Sequence, residues 1–324
     1  MGFTTGRVDA DVLRSAARWA ALLALAPWLA HAVAEDVRLD TPHGPLAGTL
    51  ESPDGTRPRA AALIIAGSGP TDRDGNNPGL PGPNNSYKYL AAALRAAGIA
   101  SLRFDKRLIG ASARQSLTEQ DLRFDTYVDD AKLWFEELHR RVGVPVYIVG
   151  HSEGSLIGIL LAERVPAAAL ISLAGPGRRA TALLLDQLRA QLPPPLFAEA
   201  EKAVAELAAG RTVASPPPEL AALFRPSVQP YLISWFRYDP AAEIARVRVP
   251  VLLVYGSTDL QVPASEGRLL AAALPSARTV VIDGMNHVLK LASGDARQQL
   301  SSYGDPALPI APELVRQIVG FIGG

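Results

Sequence analysis

The stretch Val146-Tyr147-Ile148-Val149-Gly150-His151-Ser152-Glu153-Gly154-Ser155-Leu156-Ile157-Gly158 runs from β-branched residues through two glycines bracketing a serine and back into apolar residues. Such a run predicts a buried strand, a sharp turn and a buried helix in immediate succession. In a turn of that kind the serine backbone is strained and its neighbours must lack side-chain bulk. Glycines at 150 and 154 let strand and helix approach while the Ser152 hydroxyl stands exposed. A bare glycine-rich turn would share the pentapeptide, so the rest of the chain has to decide whether Ser152 is a nucleophile.

Outward from this turn the pattern repeats. Apolar runs at Ala60 to Ala66, Ile99 to Phe104, Val144 to Val149, Ala168 to Leu173, Val251 to Tyr255 and Thr279 to Ile282 alternate with helix-length segments. Helical spacing marks Tyr87 to Ala97 and Thr126 to Arg141, with Gly98 and Gly143 placed as C-terminal caps, and Pro312 to Ile322 closes the chain. Continuous apolar strands between helices predict an α/β fold, a mostly parallel sheet with helices on both faces. An opening hairpin is expected around Thr41-Pro42-His43-Gly44-Pro45. The rhythm breaks where Pro193 to Pro195, Pro216 to Pro218, Pro226 and Pro230 fall among alanine- and leucine-rich pieces, which predicts an inserted helical cap. Its aromatic residues, Phe224, Tyr231, Trp235, Phe236 and Tyr238, read first as the cap's own packing and second as a substrate wall.

Residues 1–34 read differently. Arg14 and Arg18 precede the apolar stretch Trp19 to Ala30, followed by Ala30-His31-Ala32 and Ala32-Val33-Ala34, the layout of a secretory signal peptide cleaved near Ala34. Asp9 and Asp11 are unusual there and point to a start near Val12 or Leu13. A stretch of about a dozen apolar residues interrupted by Pro27 falls short of the ~20 that a bilayer demands, so no stable membrane insertion is expected after cleavage. The resulting division is a signal peptide at 1–34, a first core part at 35–176, a cap at 177–240 and a second core part at 241–324, with the mature protein exported to the periplasm or secreted.

The whole chain carries 32 basic and 32 acidic residues, and removing 1–34 leaves 29 against 30. With no net positive field, nucleic acid is not an expected partner. The absence of cysteine excludes disulfides, thiolate metal sites and a cysteine nucleophile.

A serine hydroxyl becomes a nucleophile only when a base takes its proton, and the base needs a carboxylate to hold its tautomer. On a parallel sheet of this type the chain order is serine, acid, histidine. Of five histidines, only His287 follows Ser152. It lies in Gly284-Met285-Asn286-His287, a loop after a predicted strand. Asp259, just past the strand Val251 to Tyr255, is the preferred acid, with Asp283 as its rival. The oxyanion of a tetrahedral intermediate needs backbone donors, assigned to the N–H groups of Glu153 and Ser68, with Gly69 as fallback.

The segments Ala66 to Asn76, Arg103-Phe104-Asp105-Lys106-Arg107 with Gly110 and Ser112, Gly150-His151-Ser152-Glu153-Gly154, Asp259 and Gly284 to His287 together resemble bacterial α/β-hydrolases, nearest to serine esterases that are similar to serine aminopeptidases. The resemblance covers Val37 to the C-terminus and is least specific in the cap. It implies the α/β-hydrolase fold and a Ser152, Asp259, His287 triad. Where that family reads Asp-Lys-Arg-Gly-Ile-Gly, this chain has Leu108 in place of the first glycine. Asp72 to Asn77 places its glycine fourth rather than sixth and lacks the twelfth-position glutamate of a calcium loop, so Asp72, Arg73 and Asp74 are expected to order the oxyanion loop. Asp105, Lys106 and Arg107 are expected to form structural ion pairs. The expected function is cleavage of a small-molecule carboxylic ester through an acyl-enzyme, with no cofactor and no metal. A peptidase removing N-terminal residues and a non-catalytic binding protein on the same fold are the competing readings. A peptidase would need an anion for the substrate amine, for which Asp186, Glu199, Glu201 and Glu206 are the candidates.

Overall fold

The computed structural model describes residues 34–324 apart from 81, 293 and 294. The expected leader at 1–34 therefore lies, but for its last residue, outside the described residues.

Eight strands form one sheet: β1 (Ala34–Leu39), β2 (Leu46–Glu51), β3 (Ala60–Ile65), β4 (Ile99–Phe104), β5 (Val146–His151), β6 (Ala169–Leu173), β7 (Val251–Gly256) and β8 (Arg278–Ile282). Their spatial order is β1-β2-β4-β3-β5-β6-β7-β8. β2 pairs antiparallel with β1 and β4, and every later pairing is parallel. The opening hairpin turns at Thr41 to Gly44, whose N–H returns to the Thr41 carbonyl at 3.1 Å.

Side-chain alternation builds two cores. Ala61, Leu63 and Ile65 of β3 face one side and Ala60, Ala62 and Ile64 the other, because successive residues of a strand point to opposite faces. On the first side lie the helices α2 (Phe124–Val142) and α3 (Glu153–Ala162); on the second lie α1 (Ser86–Ala96) and, at the chain's end, α11 (Pro312–Gly323). Both faces being covered, the central strands need no polar face, which is why they appear as unbroken apolar runs. β8 departs from this reading. Arg278, Thr279 and Val281 are exposed, since an edge strand has a neighbour on one side only.

Between β6 and β7 the chain forms α4 (Ala180–Gln191), α5 (Pro194–Ala208), α6 (Ala221–Phe224), α7 (Gln229–Phe236) and α8 (Pro240–Ile244). The insertion is fastened to α2 by rings: Phe124 stacks on Trp235 at 5.9 Å and 4°, and also meets Tyr231 and Tyr238. These aromatics thus pack the insertion onto the core. α9 (Ala264–Ala273) and α10 (Ala296–Ser302) complete the chain between β7 and α11.

Leu108 adopts φ 66°, the left-handed region that costs a residue with a Cβ about 1–2 kcal/mol. The loop keeps the backbone that glycine would adopt there, with the Leu108 N–H on the Ser112 carbonyl at 3.1 Å. The leucine side chain packs half-buried against the core in return.

Candidate active site

β5 continues two residues beyond its predicted end because it is central: Gly150 pairs with Ile65 of β3 and His151 with Leu173 of β6. Ser152 follows at φ 54°, ψ −121°, a strained conformation that persists only where the surroundings enforce it. Its N–H is tied to the Leu173 carbonyl at 2.9 Å, and α3 begins at the next residue. The crowding explains the two glycines. A Cβ on Gly154 would penetrate the carbonyl oxygens of Ile65 and Ala66, and one on Gly150 would strike the carbonyl of Gly154.

At the C-terminal end of β7, Asp259 is buried and fully engaged. Its Oδ1 accepts the N–H groups of Gln261 and Val262 at 2.8 and 2.9 Å, and its Oδ2 meets His287 Nδ1 at 2.8 Å. Burial pushes the Asp259 carboxyl up, but the His287 charge and these hydrogen bonds outweigh it and hold the group below the usual aspartate value. With Nδ1 donating to Asp259, the His287 Nε2 lone pair is left to act as a base. Asp283, the rival acid, is instead exposed and accepts from Ser257 Oγ at 2.9 Å. The His287 loop is pinned by Ser86 Oγ donating to the Val288 carbonyl at 2.6 Å and by Asn286, whose side-chain amide donates to Ser302 Oγ.

Ser152 and His287 line one cavity of about 240 Å³, together with Ser68, Asn77, Asn84, Tyr87, Gln261 and Tyr303. Among the described residues no hydrogen bond joins Ser152 to His287, a separation common in unliganded sites that tightens with substrate. Ser68 is exposed and lines the cavity. Glu153, the other expected oxyanion donor, occupies the first turn of α3, where N–H groups lack intrahelical acceptors.

Among the described residues no aspartate, glutamate, lysine or arginine lines this cavity. The four acidic residues considered as amine anchors are each paired elsewhere: Asp186 with Arg178, Glu199 with Lys202, Glu201 with Arg189 and Glu206 with Arg211. In the loop after β3, Asp72 Oδ1 accepts the N–H groups of Asp74 and Asn76, Arg73 pairs with Asp105 and Asp74 with Arg103. Arg107 pairs with Asp130 and Lys106 with Glu153.

Two residues at the site escape a reading of the sequence. Tyr87 Oη accepts the Gly67 N–H at 3.1 Å and lies 2.7 Å from His151 Nδ1; His151 Nε2 lies 2.8 Å from the His287 carbonyl. A carbonyl only accepts, so Nε2 carries the proton and Nδ1 accepts from the tyrosine. Burial pushes the Tyr87 phenol up, in keeping with its role as donor. The relay joins three segments of the site, and its members lie 64 and 136 residues apart in sequence, so no local pattern announces it.

A model of the alpha/beta hydrolase family matches residues 78–296. The chain belongs to that family. It is 28% identical over 253 residues to Esterase EstD of Thermotoga maritima, a match covering 77% of this chain and 59% of that protein, so the chain spans less than two thirds of that relative's length. Among solved structures it resembles Est1E from Butyrivibrio proteoclasticus with ferulic acid bound (TM-score 0.59, 18% identity, 89% of this chain and 100% of that one). It also resembles a proline iminopeptidase from Mycobacterium smegmatis (TM-score 0.55, 17% identity, 89% and 98%). At these identities the two structures share a fold with this chain.

Two outcomes follow. Gly154→Ala drives a methyl group into backbone that cannot yield, so it is expected to lower stability by about 3 kcal/mol or more, measured by urea unfolding; stability within 1 kcal/mol of wild type, roughly the size of an average substitution, would contradict the packing. His151 is pushed down to about 3, first by burial and then by the charge of His287. An unfolded histidine takes up a proton near its ordinary value of about 6.5. Between these values the unfolded chain binds more protons, so folding stability falls as pH drops, by up to about 1.4 kcal/mol per unit. Asp130, pushed up to about 6 by burial, has the opposite slope in part of this window, so the comparison is between wild type and His151→Gln. The wild type is expected to lose stability more steeply below pH 6; parallel curves would refute a neutral buried His151.

Proposed function

We propose that this protein is a serine hydrolase that cleaves small carboxylic esters through Ser152, His287 and Asp259. The observation that carries the reading is the conjunction of a strained serine and an Asp259–His287 pair at one cavity with uncharged walls. His287 Nε2 takes the Ser152 proton as Oγ attacks the ester carbonyl, and Asp259 holds the imidazole and balances its charge. The N–H groups of Ser68 and Glu153 receive the oxyanion. Collapse expels the alcohol, protonated by His287, and leaves an acyl-enzyme. His287 then activates water, and the acid departs.

The uncharged wall also weighs between ester and peptide. A peptidase that trims N-termini has to compensate the substrate's ammonium group, and an unpaired buried charge is expensive. Among the described residues the cavity offers no carboxylate for that purpose, whereas a neutral ester needs none. The name of the relative from Thermotoga maritima agrees with this choice. At about 240 Å³ the cavity falls below the roughly 300–1,000 Å³ of drug-sized ligand sites, which favours short acyl groups.

Export to the periplasm or beyond is part of the proposal, supported by the signal-peptide layout of residues 1–34 and tested by N-terminal sequencing of the mature protein. For the chemistry, p-nitrophenyl esters of increasing chain length are assayed beside aminoacyl-nitroanilides. Short esters should be turned over and anilides spared, with Ser152→Ala reducing turnover by about 10⁴-fold or more while the far-UV circular dichroism stays unchanged. Undiminished turnover in that variant, or preferential cleavage of anilides, would overturn the assignment.

A further inference from the structure

Lys106 and Glu153 form an ion pair at 3.2 Å whose side chains are 3% and 2% exposed. Burying two charges costs several kcal/mol per ion before their attraction repays it, so such a pair is a poor device for stability alone. Its surroundings suggest what it does. Lys106 Nζ also donates to the Gly67 carbonyl at 2.6 Å and rests over the Tyr127 ring at 5.1 Å. The Gly67 carbonyl and the Ser68 N–H belong to one peptide unit. That unit is planar and, since no described peptide bond is cis, its C=O and N–H point in opposite directions. Fixing the carbonyl on Lys106 therefore fixes where the Ser68 N–H aims. On the other side of Gly67, its own N–H is held by Tyr87, so the loop is clamped on both flanks. The position matters because a Cβ on Gly67 would stand 3.2 Å from the Ser152 Cβ.

We propose that the Lys106–Glu153 pair is a positioning device for the oxyanion hole, with Lys106 orienting the Ser68 N–H through the Gly67 carbonyl and the Glu153 carboxylate orienting Lys106. Glu153 then serves twice, its backbone N–H toward the oxyanion and its side chain toward the residue that aims the second donor. Neither side chain touches substrate. The inference rests on the ester-hydrolase reading and deepens it.

Lys106→Met alone strands a buried carboxylate and is prone to misfold, so the main variant is Lys106→Met with Glu153→Gln, which leaves no unpaired charge. Glu153→Gln alone is the second variant. On a p-nitrophenyl ester, the double variant is expected to lose about tenfold to a hundredfold in kcat, with KM changed less than about threefold. Phenylboronic acid, which forms a tetrahedral adduct on a serine, should bind more weakly by a similar factor. Glu153→Gln should show the same pattern at about tenfold. A purely structural pair would lower Tm and leave kcat and boronate affinity of the folded protein untouched. Wild-type values of either in a folded variant would overturn the proposal. Ser152→Ala in the same assay keeps the two readings apart: if it is dead while the Lys106 variants match wild type, only the positioning role fails, and if the wild type itself turns over no ester, the function fails with it.

Discussion

The close crossing of the β5–α3 turn over the end of β3 is the constraint on which the site depends. Gly154 sits against the carbonyl oxygens of Ile65 and Ala66, so the start of α3 and the start of the loop after β3 are separated by no side chain at all. That contact forces Ser152 into its positive φ and brings Gly67 alongside it. The strain is borne by the sheet, because β5 is flanked by β3 and β6 and paired through Gly150 and His151. A strained residue at a loop tip would relax; this one sits between two paired strands and a helix buried along its whole length.

Around this crossing the polar groups form a connected set. Gly67 N–H reaches Tyr87, Tyr87 reaches His151, and His151 reaches the carbonyl of His287. On the far side, Gly67 O receives Lys106, and Lys106 meets Glu153. Two buried routes thus run from one glycine, one to the loop that carries His287 and one to the helix that begins beside Ser152. Buried polar networks are high-stakes: satisfied, they rigidify a unique geometry, and broken, they leave costly orphans.

How much of this was legible in the sequence follows from the range of the interactions. Strands and helices were readable because periodicity is local: the run from Ala60, the helix after Tyr87 and the turn at Ser152 each lie within a dozen residues. His287 was found by elimination, as the one histidine after Ser152, and Asp259 by its place after a strand, and the structure brings those two together at 2.8 Å. The exposure of β8 was missed because its apolar spelling does not say that it is an edge. The relay through Tyr87 and His151 is invisible because its members are distant in sequence. The sequence marks Lys106 as a structural ion-pair residue; what it cannot supply is that the partner is Glu153 and that the same ammonium holds the carbonyl of Gly67.

The same distribution of charge shapes what the cavity admits. Ionic side chains are plentiful nearby, yet Arg73, Arg103, Lys106 and Arg107 each spend their charge on a carboxylate behind the cavity wall. Lining the cavity are amides, hydroxyls, His151 and His287, and the apolar residues Leu80, Val288 and Leu289. An approaching ligand therefore meets dipoles and apolar surface, and beside Ser152 begins the first turn of α3, whose N–H groups lack intrahelical acceptors and favour negative charge. A neutral molecule enters such a space without a desolvation penalty that nothing repays. In the proposed reaction the field of those N–H groups would act where negative charge develops on the attacked carbonyl oxygen, leaving the ground state of an ester largely untouched and favouring its tetrahedral intermediate.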